Sequence, residues 1–475
     1  MTRTQAVASA PTERRPVPQW LTLAVVLTET FLSVLDFFIV NVGIPSMQHD
    51  LRLTSGAVQL VVAGFGLAYG AGMVPSGKLG DHYGRRRLFA LGIGAFGATS
   101  LLCGLAGNGG ELIAARVAQG VAAAMMAPQV LAILTTAFAG QARAKALAAY
   151  ASTMGLAAVS GQLVGGVLIR LDLFGLGWRT CFLVNVPVAF LALALVRTAV
   201  PQVPTRRNGR LDVVGALLAT DAVIALVLPL TLGQQQGWPE WTIASLAVAP
   251  VLGTAFVLRQ RRLARAGRTP LVDLGLFSDR HFVVGSALAL TIAMGQGSFF
   301  LLLAVYLQDG HGLSPLAAGL YVTPMAITYI LAASRTPQVA ARLGRQTIPV
   351  GVGIMAVSLL VASAVASAVG TDGDVWWMLP PFMVDGIGMG FVLSAVVPTA
   401  MARVLPERAG EASGVVTTAM QVGGALGVAA LGAVFFACQR HHGVSEAFPV
   451  ALIGLACISC ASAALAQLLP KASTA

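Results

Sequence analysis

The sequence predicts an all-α polytopic membrane protein with 14 transmembrane helices, built as two six-helix halves with a parallel repeat plus an inserted helix pair. Three observations carry this expectation. The 475 residues are 56% hydrophobic and only 10% charged, with a mean hydropathy of +0.80. Apolar runs of about twenty residues recur along the whole length, each able to cross about 30 Å of hydrocarbon as a helix. Finally, the basic residues alternate between the connections in a way that fits an even number of crossings.

The runs lie at 20–42, 56–78, 88–107, 112–136, 146–169, 180–199, 212–232, 241–258, 282–306, 314–334, 348–369, 376–401, 412–437 and 448–469. Each must be helical, because lipid offers no partner to a free backbone N–H or C=O. With both termini cytoplasmic, 25 of the 30 lysines and arginines fall on the inside, and Arg116 is the only one deep in a span. The net charge of +11 then reports topology and contact with anionic headgroups. Arginine outnumbers lysine 27 to 3, which fits a GC-rich bacterial genome and hence the bacterial cytoplasmic membrane.

The two longest inside connections, 200–211 and 259–281, bracket the seventh and eighth runs. The expected organisation is therefore a disordered cytoplasmic N-terminus (1–19), an N-terminal half (20–199), an inserted two-helix linker with flanking loops (200–281), a C-terminal half (282–469) and a cytoplasmic tail (470–475). The N-terminal stretch lacks the apolar core and cleavage site of a signal peptide, so the first helix is expected to remain. "LGDHYGRRR" (79–87) has an echo in "VAARLGRQT" (339–347), each after the second run of its half. Gly84-Arg85 aligns with Gly344-Arg345, and Asp81 with Ala341. Such a repeat places a substrate site between the halves, near mid-membrane.

Several function classes fall away. No basic stripe is interleaved with exposed aromatics, so nucleic acid is not expected as a partner. "GMVPSGKL" (72–79) imitates a phosphate loop but ends in Leu79, where a hydroxyl would hold Mg²⁺, and it closes a membrane run. "GIGAFG" (92–97) lies inside the third run. No nucleotide, metal or other cofactor is expected. The five cysteines read as small core residues, "CISC" at 457–460 included.

The most specific stretch is "SGKLGDHYGRRRLF" (76–89). Gly80 and Gly84 permit a tight turn, Asp81 can take backbone donors at a neighbouring helix N-terminus, and Arg85 to Arg87 hold the inside surface. An ordinary basic loop would not need these residues at these offsets. Here the chain resembles the major facilitator superfamily, whose loop between helices 2 and 3 reads G-x-L-a-D-x-x-G-R-[KR]-x. Gly77, Leu79, Asp81, Gly84, Arg85 and Arg86 match, and Gly80 replaces the small residue. The resemblance implies that this turn latches the halves and helps gate alternating access.

The likeness extends to the fourteen-helix drug:proton antiporter group. "VLDFFIVNVGIP" (34–45), "LIAARVAQGVAAA" (112–124, built on Arg116, Gln119 and Gly120), "WRTCFLVNVP" (178–187) and "VYLQDGHGLSPLAAGLYVTP" (305–324) all fit it. "GLAAVSGQLVGG" (155–166) resembles the antiporter motif through Gly155, Gly161, Gly165 and Gly166, with Gln162 where a proline is usual. Similarity covers about 20–469 and implies export of small molecules against protons; a monomer is expected.

Within the first run stand two carboxylates, Glu29 and Asp36. A seven-residue step turns about 700°, so they share a helix face roughly 10 Å apart. A charge at mid-bilayer costs about 2.5–3.5 kcal/mol, so neither should face lipid. An acid that is neutral when buried and is exposed alternately to each side can carry a proton. Arg116 would neutralise one of them when the proton has left; the plainer reading is a permanent structural ion pair. Asp385 is a candidate for meeting a cationic substrate, or else a packed, hydrogen-bonded acid. Phe38, Met125, Phe299 and Tyr321 could join it in a plastic apolar wall, though each singly could be core packing.

The function expected is proton-coupled antiport exporting hydrophobic, amphipathic or cationic small molecules, as in multidrug or antibiotic efflux. Proton-coupled uptake of a nutrient would use the same fold and carboxylates. A non-transporting receptor or intramembrane enzyme has less in its favour, since the chain offers no nucleophile–base set and no sizeable soluble domain.

Overall fold

A computed structural model describes residues 19–53, 55–202, 212–233, 236–405 and 408–469. The expected disordered N-terminus up to residue 18, most of the 200–211 connection and the tail from residue 470 lie outside the described residues.

The first half holds α1 (Gln19–Asp50), α2 (Ser55–Tyr83), α3 (Arg85–Leu105), α4 (Gly109–Ala137), α5 (Gly140–Leu171), and α6 (Thr180–Leu183) continued by α7 (Asn185–Ala199). The inserted pair is α8 (Val213–Leu232) and α9 (Glu240–Arg265). The second half holds α10 (Arg280–Val305), α11 (Pro315–Leu343), α12 (Thr347–Val369), α13 (Leu379–Met401), α14 (Ala409–His442) and α15 (Val444–Gln467). Thirteen continuous segments of the described chain are long and apolar enough to cross a bilayer. One of them, Ala317–Val369, runs 53 residues and contains both α11 and α12, which part at Gly344; with it divided, the spans number fourteen.

Several helices outrun the apolar stretches that announce them. Helix α1 continues to Asp50 and α5 begins at Gly140, because the i→i−4 hydrogen-bond ladder does not stop where hydrocarbon stops. At the sixth span, Pro187 has no N–H to give the Leu183 carbonyl, and the helix is divided there into α6 and α7.

The two halves use the same pairings. Helix α1 packs on α5, α2 on α4, and α3 on α4 and α7; likewise α10 packs on α14, α11 on α13, and α12 on α13 and α15. Glycines set the register, as small residues do where membrane helices approach closely. Gly161 and Gly165 of α5 lie against the Leu35 and Ile39 carbonyls of α1, and Gly423 and Gly427 of α14 lie against the Leu290 and Met294 carbonyls of α10. Gly120 of α4 meets the Phe65 carbonyl and Ala68; Gly386 of α13 meets the Met325 carbonyl and Thr328. The turns match too, with Gly84 (φ 100°) between α2 and α3 and Gly344 (φ 54°) between α11 and α12.

The halves meet along α5–α11 and α2–α14. The inserted pair stands beside the second seam, with α8 packed on α9, α2 and α14.

Candidate functional site

Asp36 is the centre of a buried polar hub in the first half. Arg116 of α4 bonds Asp36 Oδ2 through Nη1, which also donates to Gln119 Oε1 (2.8 Å), while its Nε donates to the Val61 carbonyl (3.1 Å). Gln119 Nε2 and Asn185 Nδ2 donate to Asp36 Oδ1 at 3.0 and 2.9 Å, and both also reach Ser100 Oγ. The guanidinium lies 4.5 Å from the centroid of the Phe65 ring. Asp36 and Arg116 are at most 1% exposed. In so dry a place an ion pair survives only because its remaining donors and acceptors are also met, and five helices (α1, α2, α3, α4 and α7) build the hub.

Glu29 shares the α1 face but not the company. It is 2% exposed and accepts hydrogen bonds from Ser33 Oγ (3.0 Å) and Thr30 Oγ1 (3.2 Å). No cation pairs with it among the described residues. Tyr69 of α2 and Tyr150 of α5 are near enough to feel its charge. On the other side of the α5–α11 seam, Tyr329 donates to the Ala151 carbonyl (2.7 Å) and its ring lies against Gly155.

A second cluster closes the end of the bundle that carries Arg85 to Arg87, called here the basic end. Gly77 of α2 lies against the Gly410 carbonyl at the start of α14, where a side chain would not fit. Asp81 takes the Glu411 backbone N–H, the N-terminal donor expected of it. Arg85 Nε and Nη2 donate to Asp81 Oδ1 at 3.1 and 3.0 Å, and its Nη1 reaches the Ala132 carbonyl of α4 (3.3 Å). Arg86 reaches the Arg197 and Val200 carbonyls at the end of α7. Lys78 faces Glu411 at 3.6 Å, and Ser413 Oγ donates to the Pro128 carbonyl (3.0 Å). Arg85 is 6% exposed and spans helices, rather than sitting at the surface with the headgroups as the sequence suggested. The segment after α9 joins this latch: the Asp273 N–H donates to Glu411, and Arg408 pairs with Asp273 at 2.8 Å.

The family model of the Major Facilitator Superfamily matches residues 27–428. The chain belongs to the major facilitator superfamily. It is a multi-pass membrane transporter rather than an enzyme. It is 36% identical over 470 residues to the puromycin resistance protein pur8 of Streptomyces alboniger, covering 95% of this chain and 90% of that one. It is 34% identical to a probable actinorhodin transporter of Streptomyces coelicolor (88% and 72% covered) and 30% identical to the tetracenomycin C resistance and export protein of Streptomyces glaucescens (90% and 78%). Among solved structures, the proton:xylose symporter XylE matches with a TM-score of 0.66 at 13% identity, covering 94% of each chain, which bears on the fold alone.

In this superfamily member the remaining candidates scatter. Phe38 of α1 meets Phe300 of α10 edge-on, ring centroids 6.3 Å apart across the halves, and Phe299 continues the ladder to Phe300 and to Phe382 of α13. Met125 is half-buried with its Cβ close to Gly92 of α3. Tyr321 is 1% exposed and donates to the Val375 carbonyl (2.8 Å), an anchor inside the second half. Asp385 is 2% exposed and accepts from Ser358 Oγ of α12 (3.2 Å). Gly161 and Gly165 seat α5 on α1, Gly155 meets Tyr329, and Gly166 is half-buried in the same helix. Gln162 belongs to the unbroken α5, but its side chain lies outside the described residues. A cavity of about 270 Å³ at the basic end, bounded by Ala148, Thr336, Arg345 and Pro398, is lined by neither Glu29 nor Asp36.

Sequence reasoning missed Ser100, Asn185, Tyr69 and Tyr150 as neighbours of the carboxylates. The signal was there for Asn185 and Ser100, since an amide or hydroxyl in an apolar run wants a partner in lipid.

Proposed function

We propose that this protein exports hydrophobic, amphipathic or cationic small molecules in exchange for protons, by alternating access, in a bacterial cytoplasmic membrane with both termini inside. The observation that carries this reading is the contrast on α1: Asp36 has a full set of partners, while Glu29 is as deeply buried with two hydroxyls for company. A carboxyl placed as Glu29 is stable there only with its proton on. A cationic substrate arriving beside it would favour the carboxylate and expel that proton. Proton binding at Asp36 would instead free Arg116, so that the hub senses the same exchange. The latch at the basic end, read as cytoplasmic from the charge bias, would hold that side shut until the exchange is made.

Two of the relatives, a puromycin resistance protein and a tetracenomycin C resistance and export protein, support export over uptake. One proton entering supplies about 2.3 kcal/mol per 100 mV plus about 1.36 kcal/mol per pH unit, ample for a large outward gradient.

The test uses inverted vesicles with an acid lumen and an internal pH indicator. Puromycin, tetracenomycin C and actinorhodin are the first probes, because relatives carry their names. Wild type should raise lumen pH when a transported compound is added, and Glu29→Gln and Asp36→Asn should not. Accumulation continuing at the same rate after the proton gradient is collapsed would overturn the coupling.

A further inference from the structure

We infer that Asp385 is the proton-binding site of the C-terminal half, occupying in that half a hub position that corresponds to Gln119 in the first. The glycine contacts fix the correspondence. Gly120 meets Phe65 O and Ala68, and Gly386 meets Met325 O and Thr328; Gly72 meets Ala124, and Ala332 meets Gly390. Counting back one residue from Gly120 and Gly386 pairs Gln119 with Asp385, and counting back four pairs Arg116 with Phe382. The Leu35 and Leu290 contacts pair the next residues, Asp36 and Thr291. The second half therefore keeps the positions of the hub but has exchanged its ion pair for a threonine and an aromatic ring. One carboxylate remains, moved to the amide's place.

The neighbours agree. Gln119 bonds Ser100 of α3, and Asp385 accepts from Ser358 of α12, the corresponding helix. Among the described residues no cation pairs with Asp385. Helix α12 has no titratable side chain. On α11, Tyr321 and Tyr329 give their hydroxyls to backbone carbonyls and Arg335 and Arg342 lie exposed toward the helix end. The first turn of α10 holds Arg280 and His281 at the basic end, and Glu411 in the first turn of α14 faces Lys78. On α5, Tyr150 lies beside Glu29, and Arg143, Lys145 and Arg170 stand near the two helix ends.

Without a cation, a carboxylate this buried is too costly to keep, so the resting group carries its proton. Binding adds one O–H bond at a carboxylate oxygen; release returns the proton to water and restores the carboxylate. The resting proton stands apart from the export reading; only its loss during the cycle rests on that reading.

The test is infrared difference spectroscopy of the full chain in liposomes through a pH titration. Beside the band expected from Glu29, a protonated-carboxyl band from aspartate should be present near neutral pH, fade as pH rises, disappear in Asp385→Asn and move in Asp385→Glu, while the Glu29 band remains in both variants. Isotope labelling of aspartate carboxyls in wild type should move the same band, which identifies it even where a variant fails to fold. A wild type without such a band near neutral pH would overturn the assignment, as would a band that stays constant over the whole range. Neither result depends on finding a transported compound, so failure here is distinct from failure of proton-coupled export.

Discussion

The two halves of this transporter pair their helices alike and differ in what they bury. The first holds Asp36, Arg116, Gln119, Ser100 and Asn185 in one network, whereas the second places Thr291, Phe382 and a solitary Asp385 at matching points. Packing geometry and buried chemistry are therefore separable in this fold. Glycines at helix crossings specify the frame, and a few side chains decide whether a half buries an ion pair or a lone acid. The turns diverge in the same way: Gly77 and Asp81 meet α14 and Arg85 bonds Asp81, while the matching Pro337, Ala341 and Arg345 have no acid at the second position.

The largest effect should come from breaking the ion pair. Arg116→Ala leaves Asp36 buried without its counter-charge, an expected loss of about 3–5 kcal/mol. Thermal unfolding of the purified protein should show it, with export abolished. Phe382→Ala at the matching point removes packing alone, a cost in the range of about 3–5 kcal/mol for a buried Phe. A second change separates the two: Asp36→Asn added to Arg116→Ala should restore much of the lost stability, and no charge change nearby should rescue Phe382→Ala. If the Arg116 variant is as stable as wild type, the hub carries no net electrostatic constraint.

Next in size is the latch. A methyl at Gly77 would strike the Gly410 carbonyl, and overpacking of this kind costs about 1–3 kcal/mol. Because the strain falls on the α2–α14 contact, Gly77→Ala should move the conformational balance toward opening at the basic end by roughly 5- to 140-fold, on the scale of 1.4 kcal/mol per tenfold. Spin-label distances between α2 and α14 would report it. Gly344 in the second half has open space around it, so Gly344→Ala should strain its own turn (φ 54°) and leave that distance unchanged. Equal shifts from both variants would mean that the halves gate symmetrically.

A smaller effect concerns the inserted pair. Asp212 caps α8 through the Gly215 N–H (2.9 Å) and binds Arg259 (2.7 Å) and Gln260 (3.0 Å) of α9. Burial works to raise its pKa, but these three partners together bring it below the ordinary carboxylate value. A depressed carboxylate stabilises the fold above its unfolded pKa and loses that contribution as pH falls through the folded value. The α8–α9 tie should thus hold at neutral pH and loosen only in acid, below about pH 4. Asp212→Asn should cost about 1–2 kcal/mol at pH 7 and nothing further in acid, read from thermal unfolding at the two pH values.

The spans were legible because apolar length and basic bias are strong signals, and the repeat showed only as a faint echo, one Gly-Arg turn repeated once. Helix ends were not, since hydropathy marks where lipid stops and not where backbone hydrogen bonding does. Glu29, Asp36 and Arg116 stood out as charges in apolar runs, yet their different fates depended on residues far along the chain. Asn185 is 149 positions from Asp36, and spacing on a single helix cannot place it. Asp385 was equally visible, but its bond to Ser358 and its match to Gln119 come from the register of the helix crossings. The packing of α8 against α2 and α14 had no sequence signal, because a lipid-facing helix and a seam-covering helix have the same composition.

The smallest expected effect lies at the end away from the latch. Asp50 receives Arg179 Nη1 (2.5 Å) and Trp178 Nε1 (3.0 Å), and these bonds pull its carboxyl below the ordinary range. The pair looks like the Asp36–Arg116 bond in outline, but Asp50 is 47% exposed and water already solvates both charges. Exposed pairs contribute about 0–1 kcal/mol and weaken with salt. Arg179→Gln should therefore shift the unfolding temperature little, and less still in high salt, while Trp178 keeps one bond to Asp50. A loss as large as that of Arg116→Ala would mean that this end is drier than its exposure implies, and that the contrast between a buried hub and a solvated rim is drawn in the wrong place.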